Sequence, residues 1–337
     1  MHSPRRARLA TLLATSFALA SLAGARRADA YCYTGICPNT DPETKIKEPF
    51  VSKVFCDGPP EEGCQMSRWR ESCVSYSAQK DGSSQLPMDQ TVETLKKAFE
   101  AWMNVDCGGG QHPSIRIDYF GLVDCRKNEY SGAVYGNANI YMFRESNWEA
   151  NHPYKEGDDI LAITTVSYRK NKDEPESNLK MGDILDADID VNGSKDENGK
   201  VRFNFTTGDD DVQDDLLSVL THEAGHFLGL QHSDKPGATM LPNYDKGETS
   251  LRILGEDDIT GICALYPPDR ESEFTCTSLP RHGYSSQCAE EQQKEIASIG
   301  CVLTSSASDA ETRVPITLAS AALIVLAALR RRQSSQR

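Results

Sequence analysis

Thr221-His222-Glu223-Ala224-Gly225-His226-Phe227-Leu228-Gly229-Leu230-Gln231-His232-Ser233 is the stretch on which the reading of this chain turns. His222 and His226 are four apart in an apolar run read as a helix over about 212–228, so their rings lie on one helical face and can share a metal. His232 would not join them if the helix ran on, because six further residues rotate a side chain by ~240° and carry it ~9 Å along the axis. Gly229 resolves this, since glycine takes the left-handed conformation that ends a helix and turns the chain back. Three neutral imidazoles then bind one zinc and leave a coordination position open for water. Glu223 lies beside them as a carboxylate able to take that water's proton rather than to ligate. The alternative is a core helix with incidental histidines, and a chain with only 7 His in 337 residues makes that the weaker reading.

Outward from this stretch, Val92, Leu95, Ala98, Phe99 and Trp102 recur at helical spacing and predict an amphipathic helix over Gln90 to Met103. Ser114 to Tyr119 alternates as a half-buried strand does, and Asn139 to Phe143, Ile160 to Tyr168 and Ile184 to Val191 are further strand candidates. A short helix is expected over Asp257 to Tyr266. Tyr31 to Gln65 is rich in Pro, Gly, Cys and charge without periodicity, and reads as a disulfide-tied segment. After Pro267-Pro268 the chain is polar and Cys-containing, in the manner of a stalk. There is no internal repeat, P-loop, G-x-G-x-x-G or G-x-S-x-G.

The chain carries 36 Lys+Arg against 50 Asp+Glu, a net charge of -14. Such a balance excludes a nucleic-acid binder working by bulk electrostatics. The charge is uneven: without residues 1–30 and 314–337 there remain 27 basic and 49 acidic residues, a net -22. Arg5, Arg6 and Arg8 before the apolar run Leu9 to Gly24, then Ala28-Asp29-Ala30, form a signal peptide pattern cleaved before Tyr31. All 11 cysteines follow that point, as an oxidising compartment would have it. No C-x-x-C occurs. With Cys301 set aside ten remain, and sequence-near pairs such as Cys56/Cys64, Cys107/Cys125 and Cys276/Cys288 are candidates whose connectivity the sequence leaves open. Val314 to Leu329 is apolar and is followed by Arg330-Arg331-Arg332. As a helix it would be ~24 Å long, short of the ~30 Å hydrocarbon layer. Gly300-Cys301, this segment and the Arg cluster together resemble the C-terminal sorting signals of myxobacterial surface proteins; a plain membrane anchor is the alternative.

H-E-x-x-H-x-x-G-x-x-H is the metzincin signature, and Ser233 after it resembles the matrixins, the matrix-metalloprotease-like branch. Met240, within Gly237-Ala238-Thr239-Met240-Leu241-Pro242-Asn243-Tyr244, looks like the matrixin Met-turn, with Pro242 and Tyr244 in the wall of the specificity pocket. Gly255 to Ile262 and Leu265-Tyr266-Pro267 are similar to the family's C-terminal helix. Trp69 and Ala98 to Trp102 look like the start of such a domain, and Gly182 to Asn192 resembles its edge strand. The resemblance covers roughly Ser67 to Pro268. It implies an α+β, zincin-like catalytic domain with a twisted mixed sheet, an active-site helix and a small C-terminal subdomain after His232. It further implies one catalytic Zn2+, protein or peptide substrates, and Met240 as an apolar floor under the imidazoles.

Two departures follow. Upstream only His112 and His152 are available for the family's structural zinc, and Asp190 stands where a histidine would fall, so no structural zinc is expected. Cys37-Pro38-Asn39 is not the propeptide P-R-C-G, which leaves latency through a thiolate unsupported. Asp186, Asp188, Asp190, Asn192 and Gly193 give a D-x-D-x-N-G start and are candidate Ca2+ ligands. The twelfth position from Asp188, however, is Gly199 where a bidentate Glu is needed, so a solvated acidic turn after an edge strand is the alternative.

The organisation expected is a signal peptide (1–30), a Cys-containing N-terminal segment (31–66), a catalytic domain (67–268), a Cys-containing stalk (269–313) and a transmembrane or sorting tail (314–337). The protein would be secreted or held on the extracellular face of the cell envelope, touching a membrane through its tail and no nucleic acid. Two other classes compete, a catalytically silent binding module and a surface protein whose zinc only stabilises it. Intact Glu223 disfavours the first, and the open fourth position disfavours the second.

Overall fold

The computed structural model describes residues 31–39, 50–56, 58–132, 135–146, 148, 159–170, 179–271 and 276–295. The signal peptide, the apolar tail, Cys301 and His152 lie outside the described residues. No helix among the described residues is long and apolar enough to cross a membrane.

A five-stranded sheet orders β5 (Arg116–Val123), β4 (Cys73–Gln79), β6 (Ile140–Arg144), β8 (Ile184–Asn192) and β7 (Ala162–Tyr168) side by side. The first four run parallel and β7 is antiparallel to β8. The two end strands are therefore β5 and β7, and Gly182 to Asn192, expected at the edge, holds in β8 an inner strand with neighbours on both sides. Alternation along β4 and β8 turns Val74, Tyr76 and Ala78, with Ala187, Ile189 and Val191, toward the helices. Helix α1 (Met88–Met103) buries Leu95, Ala98, Phe99 and Trp102 against that face. Each large side chain there contributes about 1.5–3 kcal/mol by leaving water.

Helix α2 (Leu216–Phe227) carries the first two histidines. It starts four residues later than expected, because Asp214–Asp215 forms β10, paired in parallel with β9 (Phe205–Thr206). Asp215 is the N-cap, accepting from Ser218 N at 2.8 Å, and Arg252 holds the same carboxylate through Nε at 2.8 Å and Nη2 at 2.7 Å. At the other end, carbonyls that a helix leaves unpaired find side-chain donors from far along the chain. Trp69 Nε1 reaches Phe227 O at 2.8 Å, and Tyr266 Oη reaches Leu228 O at 2.8 Å. Trp102 Nε1 bonds Thr221 O at 2.8 Å, joining α1 to α2. A further helix, α3 (Glu256–Leu265), packs Ile262 and Leu265 into the same core.

Residues 31–39, 50–56 and 58–66 are integral to this body. β1 (Cys32–Pro38) lies between β2 (Phe50–Cys56) and β3 (Gln65–Met66), with Tyr33 and Ile36 fully buried. Residues 276–295 likewise lie on the body, where a stalk was expected: Ser286 O accepts from Asp124 N and Cys125 N, and Asn137 Nδ2 donates to Arg281 O.

All ten cysteines among the described residues are paired, as Cys32–Cys56, Cys37–Cys64, Cys73–Cys276, Cys107–Cys263 and Cys125–Cys288. None of the three sequence-near candidates forms. Cys56 is drawn to Cys32 by the β1–β2 register, and the bridges of Cys73, Cys107 and Cys125 span 156–203 residues because topology, not chain distance, sets the approach.

Tyr266→Phe removes one hydroxyl that donates to Leu228 O and accepts from Trp69 N at 3.0 Å. Two buried backbone groups lose a partner with no change of shape, so a loss of about 2–3 kcal/mol is expected in denaturant unfolding, with the slope unchanged. An unfolding free energy equal to wild type would contradict this role.

Candidate metal centre

His222 and His226 project from consecutive turns of α2, and the chain then reverses. Gly229 sits at φ 98°, and a Cβ there would lie 2.4 Å from Ser67 O, so both its conformation and its surroundings require glycine. The reversal brings His232 to its partners. One ring nitrogen from each of the three histidines lies within 4.8 Å of the others, and the ring centroids are 4.8–5.2 Å apart.

Two of the rings are oriented by backbone carbonyls. His222 Nδ1 lies 2.8 Å from Thr239 O and His226 Nδ1 2.9 Å from Leu230 O. An Nδ1–H donated to each carbonyl leaves the Nε2 lone pair free, the tautomer a metal needs. Burial lowers all three basicities: His222 to about 4, His226 well below its ordinary value, His232 in the same direction. Neutral imidazoles with converging lone pairs fit zinc, and the set has room for a non-protein ligand.

Glu223 is 6% exposed, and its Oε2 accepts from Thr164 Oγ1 of β7 at 2.6 Å. Burial raises its carboxyl to about 7 despite that bond. Met240 is 2% exposed, and its Sδ is so close to Gly225 of α2 that a Cβ there would meet it at 2.3 Å. One carboxylate fixes this turn. Asp258, in the first turn of α3, accepts from Thr239 N at 2.6 Å, Met240 N at 3.1 Å and Gly255 N at 2.8 Å. Ser233 N closes the loop onto Met240 O at 2.8 Å. Thr239, whose carbonyl orients His222, is thus tied to α3.

A cleft of about 1140 Å³ opens over the histidines. Its lining includes Glu223, β7 residues such as Ile163 and Thr164, and Leu241 to Tyr244. Tyr244 Oη accepts from Asp215 N at 2.6 Å, which pins that wall to the start of α2.

Asp186, Asp188, Asp190 and Asn192 do not form an acidic turn. They alternate along β8 on the face away from the helices and are all buried. Asp190 is held by Arg144 Nε at 2.7 Å and by Asn128 Nδ2, and Asp188 accepts from Ile140 N at 2.7 Å. Burial pushes Asp186 and Asp188 well above the usual carboxylate range. Asn192 bonds Ile160 O and Ser194. The four do not gather as a chelating loop. Among the described residues only the three histidines and the Cys125, Glu129, Cys288 group bring three such ligand atoms within 4.8 Å, and the two cysteines of the latter are disulfide-bonded. His112 bonds Val105 O. Thr164 and Asp258 were not singled out by the sequence. The acidic helix start Gly255-Glu256-Asp257-Asp258 was the available signal for Asp258.

Elemental analysis of dialysed protein is expected to give one zinc per chain, reduced to substoichiometric by His226→Ala. Two tightly held zincs, or none, would contradict a single three-histidine centre.

Residues 135–267 match the family model described as Matrixin. Neutrophil collagenase of Homo sapiens is 57% identical over 51 residues, which is 15% of this chain and 11% of that protein. Matrix metalloproteinase-16 of Rattus norvegicus and of Homo sapiens is 49% identical over 57 residues, 17% of this chain and 9% of each relative. The chain thus spans about a tenth of the length of these curated relatives. The mixed sheet with few helices agrees with a matrixin catalytic domain, and the match to the family model lies over residues 135–267.

Proposed function

We propose that this protein is a secreted or surface-tethered zinc-dependent endopeptidase in which His222, His226 and His232 hold the metal and Glu223 is the general base. The observation that carries the reading is Glu223 itself, buried beside three converging neutral imidazoles at the floor of a long cleft. Zinc in such a site lowers the pKa of a bound water and polarises a carbonyl. The chain's own residues do the rest. Glu223 receives the proton of the attacking water and delivers it to the leaving amine, for which a carboxyl raised to about 7 is well matched. Thr164 orients that carboxylate, and the outer edge of β7, unpaired among the described residues, suits an extended peptide, which would add to the sheet as a further strand. Met240 gives the imidazoles an apolar floor, while Leu241, Pro242 and Tyr244 receive an apolar side chain downstream of the scissile bond.

Five disulfides support folding in an oxidising compartment, in keeping with export. Surface tethering rests on the sequence of 314–337 alone. Calcium is retained only as a ligand of sites other than a loop at Asp186 to Asn192.

The purified ectodomain is expected to degrade casein or gelatin and to stop when a chelator is added. Glu223→Gln is expected to keep the zinc and the fold while losing at least about a hundredfold in turnover, since an amide accepts no proton from the water. Near-wild-type turnover by Glu223→Gln would refute the assignment of the base.

A further inference from the structure

A second wall of the cleft belongs to the N-terminal hairpin, whose residues Thr34, Ser52 and Val54 line it together with the histidines. The hairpin is docked on the reversal that follows α2. Gln231 N donates to Cys32 O at 2.8 Å, Thr34 N to Gly229 O at 3.4 Å, and Gln231 Nε2 to Thr34 Oγ1 at 2.7 Å. β2 pairs with β1 through seven residues, and the Cys32–Cys56 and Cys37–Cys64 bridges fasten the strand ends. Tyr33 is fully buried with its ring on Phe55. The wall is thus rigid before any ligand arrives, which lowers the ordering cost of binding.

Its chemistry follows from register. Thr34 stands opposite Val54 and Ile36 opposite Ser52, so Thr34, Ser52 and Val54 share one face, and that face meets the cleft. Lys53 alternates to the other side of the strand, its ammonium 3.2 Å from Glu61, and it too borders the cleft. Val54 is 60% exposed, one of four exposed large apolar side chains among the described residues. The lining residues Val219, His222, Glu223, His226 and Gly229 follow one side of α2, so the cleft runs along the helix. Tyr244 is bonded at the helix start and the hairpin lies beyond its end. Twelve helical residues span ~18 Å, room for about five residues of extended peptide.

We propose that the β2 face reads the half of the substrate upstream of the scissile bond, with Val54 as the specificity-determining contact for an apolar side chain in that half. This rests on the endopeptidase reading and on Leu241 to Tyr244 facing the downstream half. The two are tested apart by measuring binding without cleavage. In zinc-loaded Glu223→Gln protein, a decapeptide with apolar residues on both sides of the central bond is compared with its downstream half alone. Adding Val54→Asp is expected to weaken the decapeptide about tenfold and the half-peptide by less than twofold, while Val54→Ile restores the decapeptide. Loss of a contact worth about 1.4 kcal/mol gives that tenfold change. Equal affinity of the decapeptide with and without Val54→Asp overturns the proposal, as does an equal loss for both peptides or a decapeptide that does not bind. Casein cleavage by the wild type with an insensitive Val54 refutes the wall alone. A Val54-selective loss in a protein that cleaves nothing refutes the endopeptidase reading alone.

Discussion

The backbone reversal at Gly229 is the constraint on which the site depends. A straight helix can offer two histidines to one metal but not a third six residues on. With φ at 98° and Ser67 O against its α-carbon, Gly229 ends α2 and swings His232 back to within ligand distance of His222 and His226. The same turn exposes the Gly229 carbonyl and the Gln231 N–H, and β1 takes both up. The N-terminal hairpin therefore sits beside the histidines because the reversal leaves backbone there to be paired.

Around that reversal the fold supplies partners to groups that would otherwise be buried alone. Trp69, Trp102 and Tyr266, from three distant parts of the chain, bond carbonyls of α2 and of Leu228 just beyond it. Asp258 gathers three N–H groups and so holds the turn whose Thr239 carbonyl aims His222. Burial keeps the imidazoles neutral and raises Glu223, which suits metal ligation in the first case and proton transfer in the second. The three long-range disulfides bind α3, the 125–131 segment and residues 276–295 into one body around the sheet.

What was legible in the sequence is what depends on short spacing. The pattern His222, Glu223, His226, Gly229, His232 encodes its geometry within eleven residues, and α1 shows in its apolar repeat. β4 was missed because one of its faces carries Cys73, Ser75, Ser77 and Gln79, all buried, so its alternation reads as polar. The acidic residues of β8 pointed to a turn for the same reason. Their burial is made tolerable by Arg144, Asn128 and the Ile140 N–H, which no local window contains. Disulfide partners, Asp258 and Thr164 are likewise products of topology.

The most direct test of the account is the zinc affinity of Gly229→Ala, measured by competition with a chromophoric chelator beside His232→Ala and wild type. An alanine at positive φ against Ser67 O must shift the reversal and withdraw His232, so Gly229→Ala is expected to bind zinc as weakly as His232→Ala while α2 remains helical. Wild-type affinity in Gly229→Ala would contradict the claim that this turn assembles the centre.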